Sequence, residues 1–571
     1  MLPGLSAPPA QNELSRVDRW LWPAVLAFVV AISVLSYVLL HRAGNTHATI
    51  VFLALFYILA LPLFALYWRT RNDSTQPDLL SRKWSATAII LFGVLAGSIG
   101  KTADHAALIT DESSYLFQAR IFAAGKLKAA PLPGASANPK AAPTAISFAQ
   151  TIQNDKGWFS KYPPGWPSIL AIGYLLHCPW LINPLFGVVQ LLLIFCLARS
   201  WGATTQNLAV LMAATSAYFL VESVGAMSHA AESTVTLFAI LTLFRGTRER
   251  RLRWIAVCFF LVACATEIRP YTGAVVGLVC TISVIVEFRH NRKLLSGALA
   301  ILCGSAVLAI ASFMLTNRLY TGDPLLSPYA LFEGTRKIRE ITFNPRIITY
   351  NILNTWRWSV ADTIRVSFPF GFLFAAYALW KEKQHRAQLV YLALLFPLLV
   401  LAYFLQIEGS SSFDGERYYF EGFGAFTIVV ARGFLLLTAN WKVPRARVIT
   451  ALLAMLAVQL AMVIDAIPDV ESRAAVYHES YRLAQAAPRP PLIFFGGASE
   501  RFAFASTHEN WNAPDWRSAP VVYLNDPGPS GRDEYACLVG RTAYRVVDYE
   551  PSGRFLVSNS TVVCPSKSPS H

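Results

Sequence analysis

Apolar stretches of roughly 20 residues recur along the chain, and short polar segments separate them. Because about 20 apolar residues in an α-helix cross the hydrocarbon layer of a bilayer, the pattern predicts a polytopic α-helical membrane protein with about 13 transmembrane helices. The expected spans are residues 20–40, 50–68, 85–100, 183–198, 203–221, 230–244, 254–267, 272–287, 294–315, 361–380, 388–406, 421–438 and 446–466. The apolar segment 166–176 is about 11 residues long and too short to cross, so we expect it to be re-entrant or to lie at the outer surface.

The basic residues between the spans predict the orientation, because cytoplasmic loops of membrane proteins are enriched in Lys and Arg. When the N-terminal tail, residues 1–19, is placed inside, every basic cluster between spans also falls inside. These clusters are Arg69, Arg71, Arg82 and Lys83; Arg199; Arg245, Arg248, Arg250, Arg251 and Arg253; Arg289, Arg292 and Lys293; Lys381, Lys383 and Arg386; and Lys442, Arg445 and Arg447. The outside then contains a first loop at 101–182, a second at 316–360 and a soluble tail at 467–571.

The composition agrees with this topology. The chain is 54% hydrophobic and 15% charged, whereas soluble proteins carry about 25% charged residues. The formal net charge of +15 is concentrated in the inside loops, so it reflects the positive-inside bias of a membrane protein. We therefore expect membrane lipids, and no nucleic acid, among its partners.

The tail is expected to form a small extracytoplasmic α/β or β-rich domain of about 100 residues. Its strand-like runs lie at residues 491–495, 521–524, 544–547 and 554–557. Gly, Pro and Asn-Asp turns separate these runs. Cys537 and Cys564 are the two cysteines of this soluble segment, so they are the candidates for a disulfide in an oxidising compartment.

An adjacent pair of carboxylates, Asp111 and Glu112, follows one of the predicted spans on the outer side. Polar groups are costly near a membrane, so those that remain are candidates for function. Two interpretations stay open for this pair. The carboxylates either stabilise the N-terminus of the helix-like run that follows, or supply a base near the bilayer surface.

Other polar residues gather at the same predicted side. They are Lys161 and Tyr162 in a Pro- and Gly-rich turn, His229 at a span start, Arg269 between two spans, the turn 317–324, and Arg417, Tyr418 and Glu421 before a late span. Each has a plainer interpretation: a stiffened loop for the turn, a hydrogen-bonded structural residue for His229, an ion pair with Glu267 for Arg269, and an interfacial anchor for Arg417. Together, a carboxylate and two arginines at bilayer depth suit a lipid-phosphate substrate, because guanidinium groups bind phosphate in two places.

The order and predicted sidedness of these motifs resemble the GT-C glycosyltransferases. The similarity is greatest to the bacterial branch related to protein O-mannosyltransferases and the lipid A aminoarabinose transferase. It is carried by Asp111, Glu112 and Tyr115, the Tyr-Pro-Pro-Gly-Trp-Pro segment from Tyr162, Ser228-His229, Arg269-Pro270, the Asn-x-x-Tyr-Thr-Gly-Asp-Pro turn, Gly415-x-Arg417-Tyr418, and the soluble tail. The resemblance implies a GT-C-like catalytic domain at 20–466 in a bacterial inner membrane, with its site and tail outside the cytoplasm.

The resemblance also implies an inverting transfer of a sugar from a polyprenyl-phosphate lipid to a glycan, lipid or protein acceptor. Asp111 would be the general base, and Glu112 would orient the acceptor or Asp111. We expect Arg417 and Arg269 to bind the donor phosphate. The expected substrate-positioning residues are Tyr115, Lys161, Tyr162, His229, Tyr418 and Glu421.

A cofactor is not expected. Some relatives of this kind use a divalent metal, but only one clear carboxylate pair is visible here, so we predict that no metal is bound. The competing class is a lipid flippase or transporter without transferase activity. Such a protein would place its polar groups near the bilayer midplane at discontinuous helices.

Overall fold

The computed structural model describes residues 82–133, 148–334, 371–404, 417–488, 491–495, 510–549 and 553–558, apart from the single positions 105, 149 and 442. The predicted tail 1–19 and the predicted spans 20–40 and 50–68 lie outside the described residues. Before the tail domain, the helices are α1 (Arg82–Thr102), α2 (Thr110–Ala123), α3 (Gly165–Leu175), α4 (Ile182–Ala198), α5 (Ala203–Ala214), α6 (Ala217–Glu222), α7 (His229–Glu249), α8 (Leu252–Ile268), α9 (Pro270–Phe288), α10 (Arg292–Thr321), α11 (Pro328–Phe332), α12 (Gly371–Lys381), α13 (Arg386–Phe404), α14 (Phe420–Asn440) and α15 (Arg445–Ala486).

The protein is a multi-pass integral membrane protein. Seven helical segments in the described ranges are long and apolar enough to cross a membrane. They contain α1, α4, α9, α10, α13, α14 and α15. Helices α7 and α8 occupy the predicted spans 230–244 and 254–267 and pack closely against each other. A helix satisfies all of its interior backbone hydrogen bonds internally, which is why the apolar runs of this chain become helices in lipid.

Two predicted spans differ from what the structure contains. The segment 203–221 was expected to be one span, but it is divided into α5 and α6 at Thr215 and Ser216. The break has a local cause, because the Ser216 hydroxyl accepts a hydrogen bond from the amide of Phe219 and so caps a new helix. The predicted span 446–466 is part of α15, which continues without interruption to Ala486. The apolar segment near 166–176 forms the 11-residue helix α3.

The segment between α2 and α3 contains a short β-hairpin. Its strands are β1 (Thr151–Asn154) and β2 (Gly157–Ser160), which pair antiparallel. The tail contains β3 (Pro491–Phe495), β4 (Val522–Asn525), the helix α16 (Pro529–Val539), β5 (Thr542–Tyr549) and β6 (Gly553–Ser558). The sheet order is β4-β3-β5-β6, with β3 parallel to β4 and to β5, and β6 antiparallel to β5. The apolar run of β3 is fully buried, as expected of a central parallel strand.

The tail domain packs on the first loop and its helix α2. Their apolar side chains form one cluster in which Phe117 and Trp158 meet the residues of β3 and β4. The Trp516 indole donates to the backbone oxygen of Pro131 at 2.9 Å, and Arg120 donates to the backbone oxygen of Asn512 at 3.3 Å. The tail therefore supports the helix that begins with the carboxylate pair.

Cys537 in α16 is disulfide-bonded, while the six cysteines from Cys178 to Cys303 are free. Cys564 lies outside the described residues, so its pairing with Cys537 stays a prediction.

Candidate active site

The two adjacent carboxylates at the start of α2 have different environments. The N-cap position of α2 is Ile109, which makes no side-chain capping bond, and Asp111 and Glu112 follow in the first turn. Successive helical residues point about 100° apart around the axis, so neighbouring side chains diverge. Glu112 turns towards the protein interior, whereas Asp111 turns towards Arg417.

Glu112 ties the start of α2 to the loop before α7. Its Oε2 accepts a hydrogen bond from the amide of Leu108 at 2.7 Å, and its Oε1 accepts one from the amide of Ala226 at 2.9 Å. Burial raises the pKa of Glu112 to about 7, and the two backbone hydrogen bonds oppose that shift. A β-carbon on Gly225 would overlap Oε1 of Glu112, so this close approach requires glycine. These bonds fix the Glu112 side chain to the backbone, and its role in orienting the acceptor or Asp111 stays a prediction.

Asp111 forms a largely buried ion pair with Arg417. The distance from its Oδ2 to Nη2 of Arg417 is 3.1 Å, and the side chains are 14% and 12% exposed. The Tyr162 hydroxyl and the Thr110 hydroxyl also hydrogen-bond to Asp111. Burial by itself would raise the pKa of Asp111, but Arg417 and these donors outweigh it and hold that pKa below its ordinary value. Asp111 is therefore an ionised carboxylate at neutral pH.

A second ion pair lies beside the first. Arg269 precedes Pro270, the first residue of α9, and its Nε is 3.2 Å from Oε1 of Glu421. The same oxygen is 2.8 Å from Nδ1 of His229, and the side chains of His229 and Glu421 are fully buried. The plainer interpretation of Arg269 named Glu267 as its partner, but the structure gives it Glu421 instead.

The ring of Tyr418 connects the two arginines. The guanidinium carbons of Arg269 and Arg417 each lie 5.4 Å from the centre of this ring. Tyr403 stacks on it, with ring centres 4.8 Å apart. The Tyr403 hydroxyl also accepts a hydrogen bond from Nη2 of Arg269 at 3.4 Å. Tyr403 was not predicted as a site residue, because an aromatic residue within an apolar span carries no distinguishing pattern.

The remaining predicted residues border the Asp111 side. The rings of Tyr115 and Tyr162 lie 4.6 Å apart, and the Tyr115 hydroxyl is 3.5 Å from that of Ser228. The Lys161 ammonium is 4.4 Å from the ring centre of Tyr329. It also lies 4.3 Å from the ring centre of Phe332 and 3.4 Å from Oε1 of Glu333. These contacts come from α11 and the residue after it, which the sequence analysis passed over.

A cleft opens next to the Asp111–Arg417 pair, and we call it the Arg417 cleft. It is lined by Leu108, Ile109, Glu112, Val221, Glu222, Gly225, Met227 and Arg417, and its empty volume is about 430 Å³ including the part open to solvent. The lining combines an arginine and two glutamates with aliphatic side chains. Glu222 was missed because it comes directly after a predicted span and was counted as its boundary.

The charges of the site are suited to holding an anion beside a carboxylate. Nε of Arg417 is buried and has no hydrogen-bond acceptor among the residues that the structure describes. A buried N–H donor without an acceptor is energetically costly, so a bound ligand that accepts from it would be favoured. Within the described ranges, no group of three or more His, Cys, Asp or Glu side chains is arranged to hold a metal ion.

No family model and no curated protein matches the chain. Solved structures with a similar fold include ArnT from Cupriavidus metallidurans bound to undecaprenyl phosphate, at 11% identity over 84% of this chain and 99% of that chain, with a TM-score of 0.48. The Archaeoglobus fulgidus oligosaccharyltransferase in its apo form matches at 12% identity over 82% and 70%, with a TM-score of 0.48. Arabinosyltransferase EmbB from Mycobacterium smegmatis matches at 12% identity over 73% and 44%, with a TM-score of 0.33.

All three neighbours are GT-C glycosyltransferases, the superfamily that the sequence resembles.

Proposed function

We propose that the protein is an inverting glycosyltransferase that moves a sugar from a polyprenyl-phosphate lipid to an acceptor outside the cytoplasm. The observation that carries the proposal is the Asp111–Arg417 pair. It places an ionised carboxylate 3.1 Å from a guanidinium group that has a further buried N–H without a described acceptor. A base and a phosphate-binding group are the two components that this transfer requires.

The phosphate is expected to bind Arg417. A guanidinium group presents five N–H donors in a planar fork and binds phosphate through two of them. Arg269 lies near the same Tyr418 ring and supplies a second positive charge. The aliphatic side chains of Leu108 and Ile109 in the Arg417 cleft give the apolar part of the lipid a surface to contact.

The chemistry needs one proton transfer. The acceptor hydroxyl oxygen attacks the anomeric carbon from the face opposite the phosphate, which inverts the configuration there. The bond from that carbon to the phosphate oxygen breaks, and polyprenyl phosphate leaves with the bonding electrons. The hydroxyl proton passes to Asp111. No general acid is needed, because the leaving phosphate is stable as an anion and the arginines stabilise its charge.

Donor binding would also strengthen the base. In the structure Arg417 holds the pKa of Asp111 low, which makes the carboxylate a weak proton acceptor. A phosphate that shares Arg417 supplies negative charge close to Asp111 and weakens its ion pair. Both effects raise the pKa of Asp111, so the carboxylate becomes a better base once the donor is bound.

The proposal includes an orientation. The positive-inside pattern predicts that the first loop and the tail lie outside the cytoplasm, and the resemblance implies a bacterial inner membrane. The acceptor would then be a cell-envelope glycan, lipid or protein that approaches Asp111 from the aqueous side. Accessibility of a tag after residue 571 in spheroplasts tests this point, and a cytoplasmic tail would remove the proposed site from its acceptor.

The function is tested by reconstituting the purified protein with an envelope extract from cells that lack the gene, as the source of acceptor, and with a panel of undecaprenyl-phosphate sugars carrying glucose, mannose, galactose or arabinose. Mass spectrometry of envelope glycans and lipids, with and without the gene, identifies the acceptor. We expect release of sugarless undecaprenyl phosphate from one member of the panel, and no release with the Asp111→Asn variant. Movement of an intact sugar lipid across the bilayer without cleavage would support the flippase alternative instead.

A further inference from the structure

A glutamate without a role in the proposed chemistry lines the Arg417 cleft. Glu222 is the last residue of α6, a six-residue helix that is too short to cross a membrane. The residue is 7% exposed, and its carboxyl group makes no hydrogen bond or ion pair with any residue in the described part of the chain. A nearly buried carboxyl group without a partner is costly, and a ligand that occupies the cleft would supply one.

The position of Glu222 indicates which part of the ligand would contact its carboxyl group. Arg417 and Glu222 line the same cleft, which is partly open to solvent. In a polyprenyl-phosphate sugar the phosphate is bonded directly to the anomeric carbon. A phosphate on Arg417 therefore places the sugar ring in the neighbouring space. The aliphatic side chains of Val221 and Met227 also border that space, and they are suited to the C–H surfaces of a sugar ring.

The protonation state of Glu222 is compatible with a nearby phosphate. Burial raises the pKa of Glu222 to about 8, although Arg417 opposes the shift. At neutral pH the group is therefore largely protonated and does not repel an anion on Arg417. A neutral carboxyl group donates one hydrogen bond and accepts others, so it can pair with a hydroxyl group in either direction.

We propose that Glu222 binds a hydroxyl group of the transferred sugar and thereby distinguishes a sugar-bearing lipid from the sugarless lipid phosphate. The inference rests on the proposed function. It assigns Glu222 a substrate-binding role that is separate from the phosphate contact of Arg417 and from the proton transfer to Asp111. A site that hydrogen-bonds a substrate hydroxyl discriminates strongly against a ligand that lacks it, because the buried partner is then left unpaired.

The test compares two ligands on the full-length protein in nanodiscs. The ligands are sugarless undecaprenyl phosphate and the panel sugar lipid that the parent cleaves fastest. Glu222→Leu removes the hydrogen-bonding group at similar size, and Glu222→Gln keeps a neutral donor and acceptor. We expect Glu222→Leu to weaken binding of the sugar lipid about tenfold. We expect its affinity for the sugarless lipid to stay within about twofold, and Glu222→Gln to stay close to the parent for both ligands.

The matched control is Glu534→Leu, the same change at an exposed glutamate on α16. If Glu222→Leu weakens the binding of both lipids equally, Glu222 has a structural role and the inference is overturned. Unchanged binding of the sugar lipid would overturn it as well. The inference also fails if Glu222→Gln weakens sugar-lipid binding as much as Glu222→Leu does, because a neutral hydrogen-bonding group should suffice. If the parent neither cleaves a sugar lipid nor binds the sugarless one, the proposed function fails and this inference fails with it.

Discussion

Replacing Asp111 with Asn separates the proposed chemistry from a structural role at this position. The exchange keeps the shape of the side chain and one oxygen that can still accept from Arg417, whose Nη2 lies 3.1 Å from the Asp111 carboxylate. It removes the capacity to take a proton. Positioned bases contribute about 10²–10⁴-fold to a rate. The barrier to transfer should therefore rise by roughly 2.7 to 5.4 kcal/mol.

The fold should tolerate this exchange. Removing one partner of a buried ion pair costs about 3–5 kcal/mol, but the Asn oxygen keeps a hydrogen bond to the charged guanidinium, worth about 1.5–3 kcal/mol. Asp111→Ala has no such bond, and it leaves Arg417 without its carboxylate. The Ala variant should therefore unfold at a lower temperature than the Asn variant, while both should be equally inactive if the missing function is proton transfer.

The assay is a single-turnover measurement of sugar transfer at saturating sugar lipid, with binding of that lipid measured in parallel. An Asn variant that transfers sugar within about tenfold of the parent would remove Asp111 from the mechanism. The interpretation that Asp111 only stabilises the helix N-terminus predicts that outcome, because losing one charge there costs about 0.3–1 kcal/mol of stability and does not touch the reaction. In the structure Ile109 occupies the N-cap position and makes no side-chain capping bond. The helix therefore gives no reason for Asn to lower activity.

The pH dependence supplies a second measurement on the same carboxylate. Its pKa in the free protein lies below the ordinary value because Arg417 is next to it. The rate is lost as pH falls through this pKa, since the base must be ionised. A bound phosphate raises the pKa, so the acid limb of kcat should lie at higher pH than the acid limb of kcat/KM. If the acid limbs of kcat and kcat/KM coincide, Asp111 and the donor phosphate do not share Arg417 as proposed.

Arg417→Lys keeps the charge but loses the planar fork, so the affinity for undecaprenyl phosphate should fall about tenfold or more, whereas an interfacial anchor would leave binding unchanged. Gly225→Ala places a β-carbon on Oε1 of Glu112, so scanning calorimetry should show a loss of about 1–3 kcal/mol, and a protein as stable as the parent would contradict this packing. Cys537→Ser and Cys564→Ser should each lower the stability of the tail by roughly 3–4 kcal/mol if the two form a disulfide, and peptide mapping without reductant would exclude the bond if both thiols were free.

The sequence was informative about the elements because two strong physical constraints act on it. Apolar runs of membrane length must become helices, since lipid offers no partner to backbone N–H and C=O groups. The same reasoning failed at 203–221, where Ser216 caps a new helix inside a run of suitable hydropathy. Average hydropathy does not register one capping hydroxyl. The same average placed the end of the predicted span at residue 221, so Glu222 was not considered as a site residue.

The sequence by itself determined which segments are apolar enough to be helices and which chemical groups lie at their predicted outer ends, among them Asp111 and Arg417. Only the tertiary structure decided that these two residues, 306 positions apart, form one ion pair. It also decided that Glu112 accepts from two backbone amides while its neighbour Asp111 pairs with Arg417, and that Glu421 is the partner of Arg269. The reason is physical: hydrophobicity acts on whole segments and can be read along the chain, whereas ion pairs and hydrogen bonds depend on distances of about 3 Å that are set when the helices pack.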